Sequence, residues 1–396
     1  MNQSIQDVYI VKALRTPVGK AYRGGLAKIR PDDLLAHCLS GLIDGLDMPS
    51  EAIEDVIIGC AMPEAEQGMN VARIATLLAG YSTSVPAITI NRFCSSGLQS
   101  IAQAADRIAC GMADVIVAGG TESMSMVPLG GYNYKANYNI FNDDNIGIAY
   151  GMGITAEIVA EKWKITRAMQ DEFALNSHLK AVDAIKNNYF ADEILPYKWE
   201  NDVVIKNNLT RKEITVSIDD GPRSDTSLEK LSTLKSVFKL NGTVTAGNSS
   251  QMSDGAAAIL LVSEKALKKY NLSPMARFRG FAVAGVNPDI MGIGPIAAIP
   301  KCLQLANLKL NDLDWIELNE AFAAQSLAVI NDLQLDANKV NPYGGAIALG
   351  HPLGATGAIR TCTVLHALKR NNLKYGMVTM CIGTGMGAAG IFENLA

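Results

Sequence analysis

The chain has 396 residues, 35 basic against 39 acidic, for a formal charge of -4. That length buries a large core and calls for two or more domains. A mildly negative balance without a basic, aromatic-interleaved stripe excludes nucleic acid as a partner. Hydrophobic residues at 48% with aromatics at 6%, beside 35 glycines, describe a core of small aliphatic side chains, as in an α/β protein with many strand-to-helix turns. The seven cysteines, at 38, 60, 94, 110, 302, 362 and 381, form no CxxC pair. That argues against a zinc site or disulfide framework and for a reducing compartment. Residues 1–7 lack the basic start and apolar run of a signal peptide. No stretch approaches the ~20 apolar residues of a membrane span, and the C-terminal Asn-Leu-Ala is not a peroxisomal address. Cytoplasm is the expected location.

In chain order, Val8–Val11 reads as a buried strand and Arg15–Gly19 as a turn. A helix opens at Pro31 and runs through Leu46, its first turn acidic, as the helix dipole favours. Val56–Gly59 is the next strand and Asn70–Ala79 the next helix. An apolar run, Val85–Ile90, enters Asn91-Arg92-Phe93-Cys94-Ser95-Ser96-Gly97, and helical spacing of Leu98, Ile101, Ala102, Ala105 and Ile108 follows. Cys94 therefore lies where a strand becomes a helix, facing unpaired N–H groups and the positive dipole end, an environment expected to lower a thiol pKa. Ser95, Ser96 and Gly97 let another backbone come close. Ala113–Gly120 is a continuous apolar strand, buried on both faces. The alternation implies parallel pairing with right-handed crossovers.

Between 121 and 243 the pattern breaks. Residues 130–145 are rich in Asn and Tyr and read as a loop. Thr155–Trp163 and Arg167–Ile185 are helical, Val203–Ile218 is polar and extended, and Asp219–Arg223 is a turn. Such insertions often carry substrate contacts. From Val244 the alternation resumes: strands at Ala257–Val262 and Phe278–Gly285, a helix at Ile296–Ala306, a strand Trp315–Asn319, a glycine-rich stretch 344–357, a helix through Leu368 and a strand Gly376–Cys381. The two flanks echo each other, so the expected division is 1–120, an inserted 121–243, and 244–396.

Three side chains at turn positions stand out. His351 is framed by Gly350, Pro352 and Gly354. The other histidines, His37, His178 and His366, fall in ordinary helical pattern and read as structural. Cys381 ends a buried strand against Gly383-Thr384-Gly385, whose backbone N–H groups suit an oxyanion. Two thiols and an imidazole can perform nucleophilic acyl chemistry.

Asn91–Gly97, Asn319-Glu320-Ala321-Phe322-Ala323, Gly344–Gly354 and Cys381-Ile382-Gly383 together resemble the four signature blocks of thiolases, and Gly247–Ala257 resembles that family's substrate loop. The resemblance implies a thiolase fold: two duplicated βαβ-type halves stacked as a five-layer α-β-α-β-α core, with an inserted loop domain. It implies Cys94 as the nucleophile that carries the acyl group as a thioester, and His351 as the base for Cys94 or the CoA thiol. Cys381 would move a proton to and from the α-carbon. Asn319, through a water, would form one oxyanion hole with His351; the N–H groups of Cys94 and Gly383 would form the other. Coenzyme A enters as substrate, and no metal or organic cofactor is implied.

Biosynthetic relatives commonly carry His-Met-Gly where this chain has Gly151-Met152-Gly153, and the block Asn248–Gln251 is more like 3-ketoacyl-CoA thiolases. That favours a 3-ketoacyl-CoA thiolase, with an acetoacetyl-CoA-specific acetyltransferase as alternative. Arg223 occupies the place of an arginine that lies against the CoA nucleotide, and Ser250, Met152 and Phe322 are further expected substrate contacts. Thr384 replaces a usual glycine, a strained choice if φ is positive there. The 126–151 loop reads as shorter than in tetrameric relatives, so a homodimer is expected, with a tetramer as alternative.

Overall fold

The structure, a computed structural model, describes residues 5–205 and 208–396. The first flank forms β1 (Val8–Arg15), a two-residue β2 (Gly19–Lys20), α1 (Pro31–Ile43), β3 (Asp55–Gly59), α2 (Val71–Leu78), β4 (Ala87–Ile90), α3 (Ser96–Ala109) and β5 (Val115–Ser123). The insertion supplies α4 (Met152–Lys162), α5 (Arg167–Lys186), an antiparallel hairpin of β6 (Tyr197–Ile205) and β7 (Asn208–Val216), and a short α6 (Leu228–Ser232). Residues 206–207 of the expected extended stretch lie outside the described residues. The rest comprises β8 (Ser253–Ser263), α7 (Glu264–Lys269), β9 (Ala276–Gly285), α8 (Gly294–Ala306), β10 (Trp315–Leu318), α9 (Ala323–Leu333), α10 (Ala346–Leu349), α11 (Leu353–Arg370), β11 (Tyr375–Ile382) and β12 (Met386–Asn394).

Strand directions reveal the duplication. In the first sheet β3 runs parallel to β5, β5 antiparallel to β8, and β8 antiparallel to β1. In the second, β10 runs parallel to β11, β11 antiparallel to β12, and β12 antiparallel to β9. The two sheets meet edge to edge where Tyr9 and Ile10 pair with Arg277 and Ala276. Helices α1 and α2 cover one sheet and α8 the other, while α3 and α11 fill the space between. These are the five expected layers.

Two corrections follow from the registers. The boundary expected at 243/244 assigns Ser253–Ser263 to the second half, but β8 pairs with β1 and β5 and completes the first sheet. Its continuous apolar run is that of a central strand, and nothing local in such a run tells which sheet receives it. The closing strand β12 is absent from the sequence reading, because Met386-Gly387-Ala388-Ala389-Gly390 looks like loop composition. The insertion thus occupies the β5–β8 connection, where the second half has only the tight turn 383–385 between β11 and β12. It is clamped back on the core by Arg15, fully buried, whose guanidinium donates to Glu193 at 2.6 Å and to both oxygens of Asp219 at 2.7 and 3.0 Å. Removing one member of so buried a set leaves an uncompensated charge.

Candidate active site

Strand β4 delivers the chain into a turn held by its own side chains. Asn91 Oδ1 accepts the Phe93 N–H at 2.7 Å; Ser96 Oγ accepts the Arg92 N–H at 2.8 Å and donates to the Phe93 carbonyl at 2.7 Å. These bonds keep Phe93 in the left-handed region, at φ 45°, and set Cys94 in the following 3-10 turn at the head of α3. Although its run of residues is apolar, β4 is half-open and lies at the sheet edge, with Ile88 48% exposed.

The close approach expected of Gly97 is to α11. A Cβ at Gly97 would stand 2.7 Å from the Ala358 nitrogen and 2.9 Å from the Gly354 carbonyl. The N-termini of α3 and α11, one from each half, therefore touch backbone to backbone, which brings the Cys94 turn and the His351 loop together. Glu122, at the end of β5, locks that junction. It is buried, and its carboxylate accepts N–H groups of Ala61 at 2.8 Å, Met62 at 3.2 Å and Gly354 at 2.8 Å, and the Gln67 amide at 2.6 Å. Sequence reasoning missed Glu122; the available signal is an acid closing an otherwise apolar strand.

His351 Nδ1 is 2.6 Å from Thr356 Oγ1, and Nε2 is 3.4 Å from Asn319 Nδ2. Since the Asn319 amide nitrogen can only donate, Nε2 presents its lone pair there, and Nδ1–H donates to Thr356. Asn319 is buried, and its Oδ1 has no partner among the described residues. Burial, helped by the charge of Arg360, pushes the His351 pKa down to about 3, so the imidazole is neutral.

Cys94 is 3% exposed. Burial pushes its pKa up to about 11, against the pull of the Gly383 N–H and its own N–H. This corrects the expectation of a lowered pKa: desolvation outweighs the helix terminus, and the resting group is a thiol. Cys381 is buried too, its pKa raised by desolvation and by the neighbouring Cys94. It packs in a small apolar cluster with Ala156, Met291 and Phe322, and Met291 of that cluster also lines the cleft over Cys94.

Cys94 and Gly383 line a cleft of about 220 Å³ with Met62, Leu129, Ile148, Met152, Met291 and Leu353. Met152 is thus in the wall of this cleft. Phe322 stands behind Cys381, edge-on to Phe238, and Ser250 is tied by its N–H to the Ala321 carbonyl at 2.9 Å; neither is among that cleft's lining residues. Arg223 lines a second cleft of about 190 Å³ with Asp225, Thr226, Lys230 and Gln251. His178, read as purely structural, belongs there too: its Nδ1 accepts the Arg223 N–H at 3.2 Å. His37 and His366 each bond a backbone carbonyl, of Pro196 and Ala13, and are structural.

Thr384 does have positive φ, at 67°, with its hydroxyl donating to the Gly383 carbonyl. A β-branched residue there is strained. Thr384→Gly is expected to raise stability by about 1 kcal/mol while keeping the Gly383 N–H and activity. Thermal melting checks this, and a lower Tm would contradict it.

A second expectation concerns acid. An unfolded imidazole binds a proton near 6.5, the folded His351 only near 3, so between these values the unfolded chain holds more protons. Stability therefore falls as pH drops from 6.5 towards 3. His178, lowered to about 4 by burial and then by Arg223 and Lys20, adds to the loss. Glu317, raised to about 7 by burial, acts oppositely, its contribution present below 4.5 and lost as pH rises through 7. In urea unfolding, His351→Asn should give a shallower slope of stability against pH between 6.5 and 4; an unchanged slope would contradict it.

Two buried thiols, a neutral imidazole and backbone donors at the junction of duplicated halves define an acyl-transfer enzyme of the thiolase type. The chain belongs to the thiolase family: the model of the thiolase N-terminal domain matches residues 8–265 and that of the C-terminal domain residues 272–394. It is 49% identical over 390 residues to a 3-ketoacyl-CoA thiolase of Bacillus subtilis, covering 98% of this chain and all of that protein. It is 46% identical to peroxisomal 3-ketoacyl-CoA thiolase A of Rattus norvegicus, over 98% of this chain and 89% of that one. Among solved structures, human mitochondrial 3-ketoacyl-CoA thiolase superposes with a TM-score of 0.89 at 38% identity, each chain fully covered. The Bacillus anthracis acetyl-CoA acetyltransferase gives 0.89 at 39% identity, covering 99% of this chain and all of the other.

Proposed function

We infer that this chain catalyses the 3-ketoacyl-CoA thiolase reaction, cleaving 3-ketoacyl-CoA with CoA to acetyl-CoA and a shortened acyl-CoA, as in fatty acid β-oxidation, reversible as a Claisen condensation. The observation that carries this reading is the apolar cleft over Cys94, with Met152 in its wall and the Gly383 N–H directed at the thiol. An unbranched acyl chain suits such a wall, which supports substrates longer than acetoacetyl-CoA.

Cys94 attacks the 3-keto carbon as its proton passes to His351 Nε2. The Cα–Cβ bond breaks, the acyl group stays on Cys94, and the acetyl-CoA enolate takes the Cys381 proton. CoA then attacks the thioester; its thiol proton restores Cys381, and His351 returns its proton to Cys94. Oxyanions face the Cys94 and Gly383 N–H groups in one step and the Asn319–His351 side in the other, each donor contributing about 2.7–4 kcal/mol to the transition state. Side chains and backbone suffice, with no metal or organic cofactor in the scheme. CoA spans from Cys94 to the second cleft, where Arg223 meets adenine or phosphate; Ser250 and Phe322 hold the loop and the wall that shape its path.

The chain is proposed to act as a homodimer in the cytoplasm. The open edge of β4 (Ile88) and the exposed face of α2 (Ile74, Leu77, Leu78) are apolar and suit a second copy. Among the described residues no helix is long and apolar enough to cross a membrane.

Assaying thiolysis of acetoacetyl-CoA against longer 3-ketoacyl-CoA esters tests the substrate. The reading expects higher kcat/KM for the longer esters; a strong preference for the four-carbon ester would favour the acetyltransferase alternative.

A further inference from the structure

Cys381 has one side-chain hydrogen-bond partner among those described: the amide of Gln325, whose Oε1 lies 3.8 Å from its sulfur. Gln325 is 0% exposed and sits in the first turn of α9, two residues after Ala323. Its Oε1 also accepts the Phe322 N–H, at a long 3.4 Å. Its Nε2 is buried with no partner among the described residues. A buried amide donor left unpaired costs about 1–3 kcal/mol, so its retention beside a reacting thiol calls for a reason. Local packing holds the side chain in place: a Cβ at Gly292 would come within 2.6 Å of the Gln325 Cβ.

We propose that Gln325 is the positioning residue for Cys381, serving the two protonation states of its sulfur with the two ends of one amide. With the thiol present, Oε1 accepts the S–H and fixes the sulfur. When the S–H proton has gone to the enolate carbon, the sulfur is an anion in an apolar cluster. Rotation about the last torsion of Gln325 then turns the unpaired Nε2–H towards it, at the cost only of the long bond from Phe322. The proton of the incoming CoA thiol returns the sulfur to its first state, and the amide turns back. Charge-assisted bonds of this kind exceed neutral ones in strength, so the donor matters most while the thiolate exists. This inference rests on the assignment of Cys381 as the acid/base of the C–C step.

The two halves of the reaction separate the roles. Exchange of labelled CoA into an acyl-CoA uses Cys94 and His351, whereas deuterium exchange at the α-carbon of acetyl-CoA and cleavage of a 3-ketoacyl-CoA also use Cys381. Gln325→Leu is expected to slow α-carbon exchange and cleavage by about 10²-fold while CoA exchange stays within about threefold of wild type. Gln325→Met keeps the length of the side chain but carries no amide donor, and should show the same split; it carries the test if the leucine variant does not fold. Cys381→Ala, measured alongside, tests the underlying assignment on its own. If Cys381→Ala splits the two reactions and the Gln325 variants slow both equally, or neither, the inference is overturned while the assignment of Cys381 stands.

Discussion

Cys94→Ala is expected to abolish acyl transfer, with cleavage of 3-ketoacyl-CoA and exchange of CoA into acyl-CoA both falling by about 10⁴-fold or more. The reason is covalent. Without the sulfur there is no thioester to hold the acyl group between departure of acetyl-CoA and arrival of CoA. Cys38 is fully buried with its sulfur against the Ala256 carbonyl, its pKa pushed up to about 12, and Cys302 and Cys362 are buried in the helix layers. Cys381 is near enough to feel the charge of Cys94 but faces the Phe322 cluster. The substitution removes one sulfur from a tight site, so stability should change by about 1 kcal/mol or less, and the melting profile separates lost chemistry from lost fold. Cys38→Ala is the control and should keep full activity. Turnover assays of both variants check this, and an active Cys94→Ala would end the scheme.

His351→Ala carries the second large effect, a loss of about 10²–10⁴-fold in kcat. A nucleophile whose pKa stands near 11 cannot wait as a thiolate at neutral pH, so its proton must leave as the C–S bond forms. The proposed acceptor is held and neutral: Thr356 fixes Nδ1, Asn319 Nδ2 lies 3.4 Å from Nε2, and burial keeps the ring uncharged. A base so hard to protonate is useful only in concert with bond formation. For that reason the loss should appear equally in CoA exchange and in C–C cleavage, unlike the split expected for Cys381→Ala. Half-reaction rates compared with the full turnover decide it; a His351→Ala enzyme that keeps CoA exchange would assign the base elsewhere.

The parts of this site that could be read from the sequence are those that depend on neighbours along the chain. Cys94 between an apolar run and a helical one, His351 among glycines and Cys381 at a strand end are local patterns, and each lies where the turn chemistry places it. The positive φ at Thr384 belongs with them, since a turn between antiparallel strands needs it. What escaped depends on pairings across hundreds of residues. Ser253–Ser263 joins the first sheet because β1 and β5 lie open to it, not because of anything in its own residues. Glu122 earns its place from N–H groups of Ala61, Met62 and Gly354, the last 232 positions away. The direction of the Cys94 pKa escaped for the same reason: a helix start is visible in sequence, whereas the depth of burial that outweighs it is a property of the assembled halves.

Peptide mass spectrometry after rapid acid quench of the wild-type enzyme with acetyl-CoA, in the absence of free CoA, tests the central claim most directly. The account predicts an acetyl group on the peptide carrying Cys94, removed when CoA is added and absent from the peptide carrying Cys381. A stable acetyl group on Cys381 or another residue, with Cys94 unmodified, would contradict it.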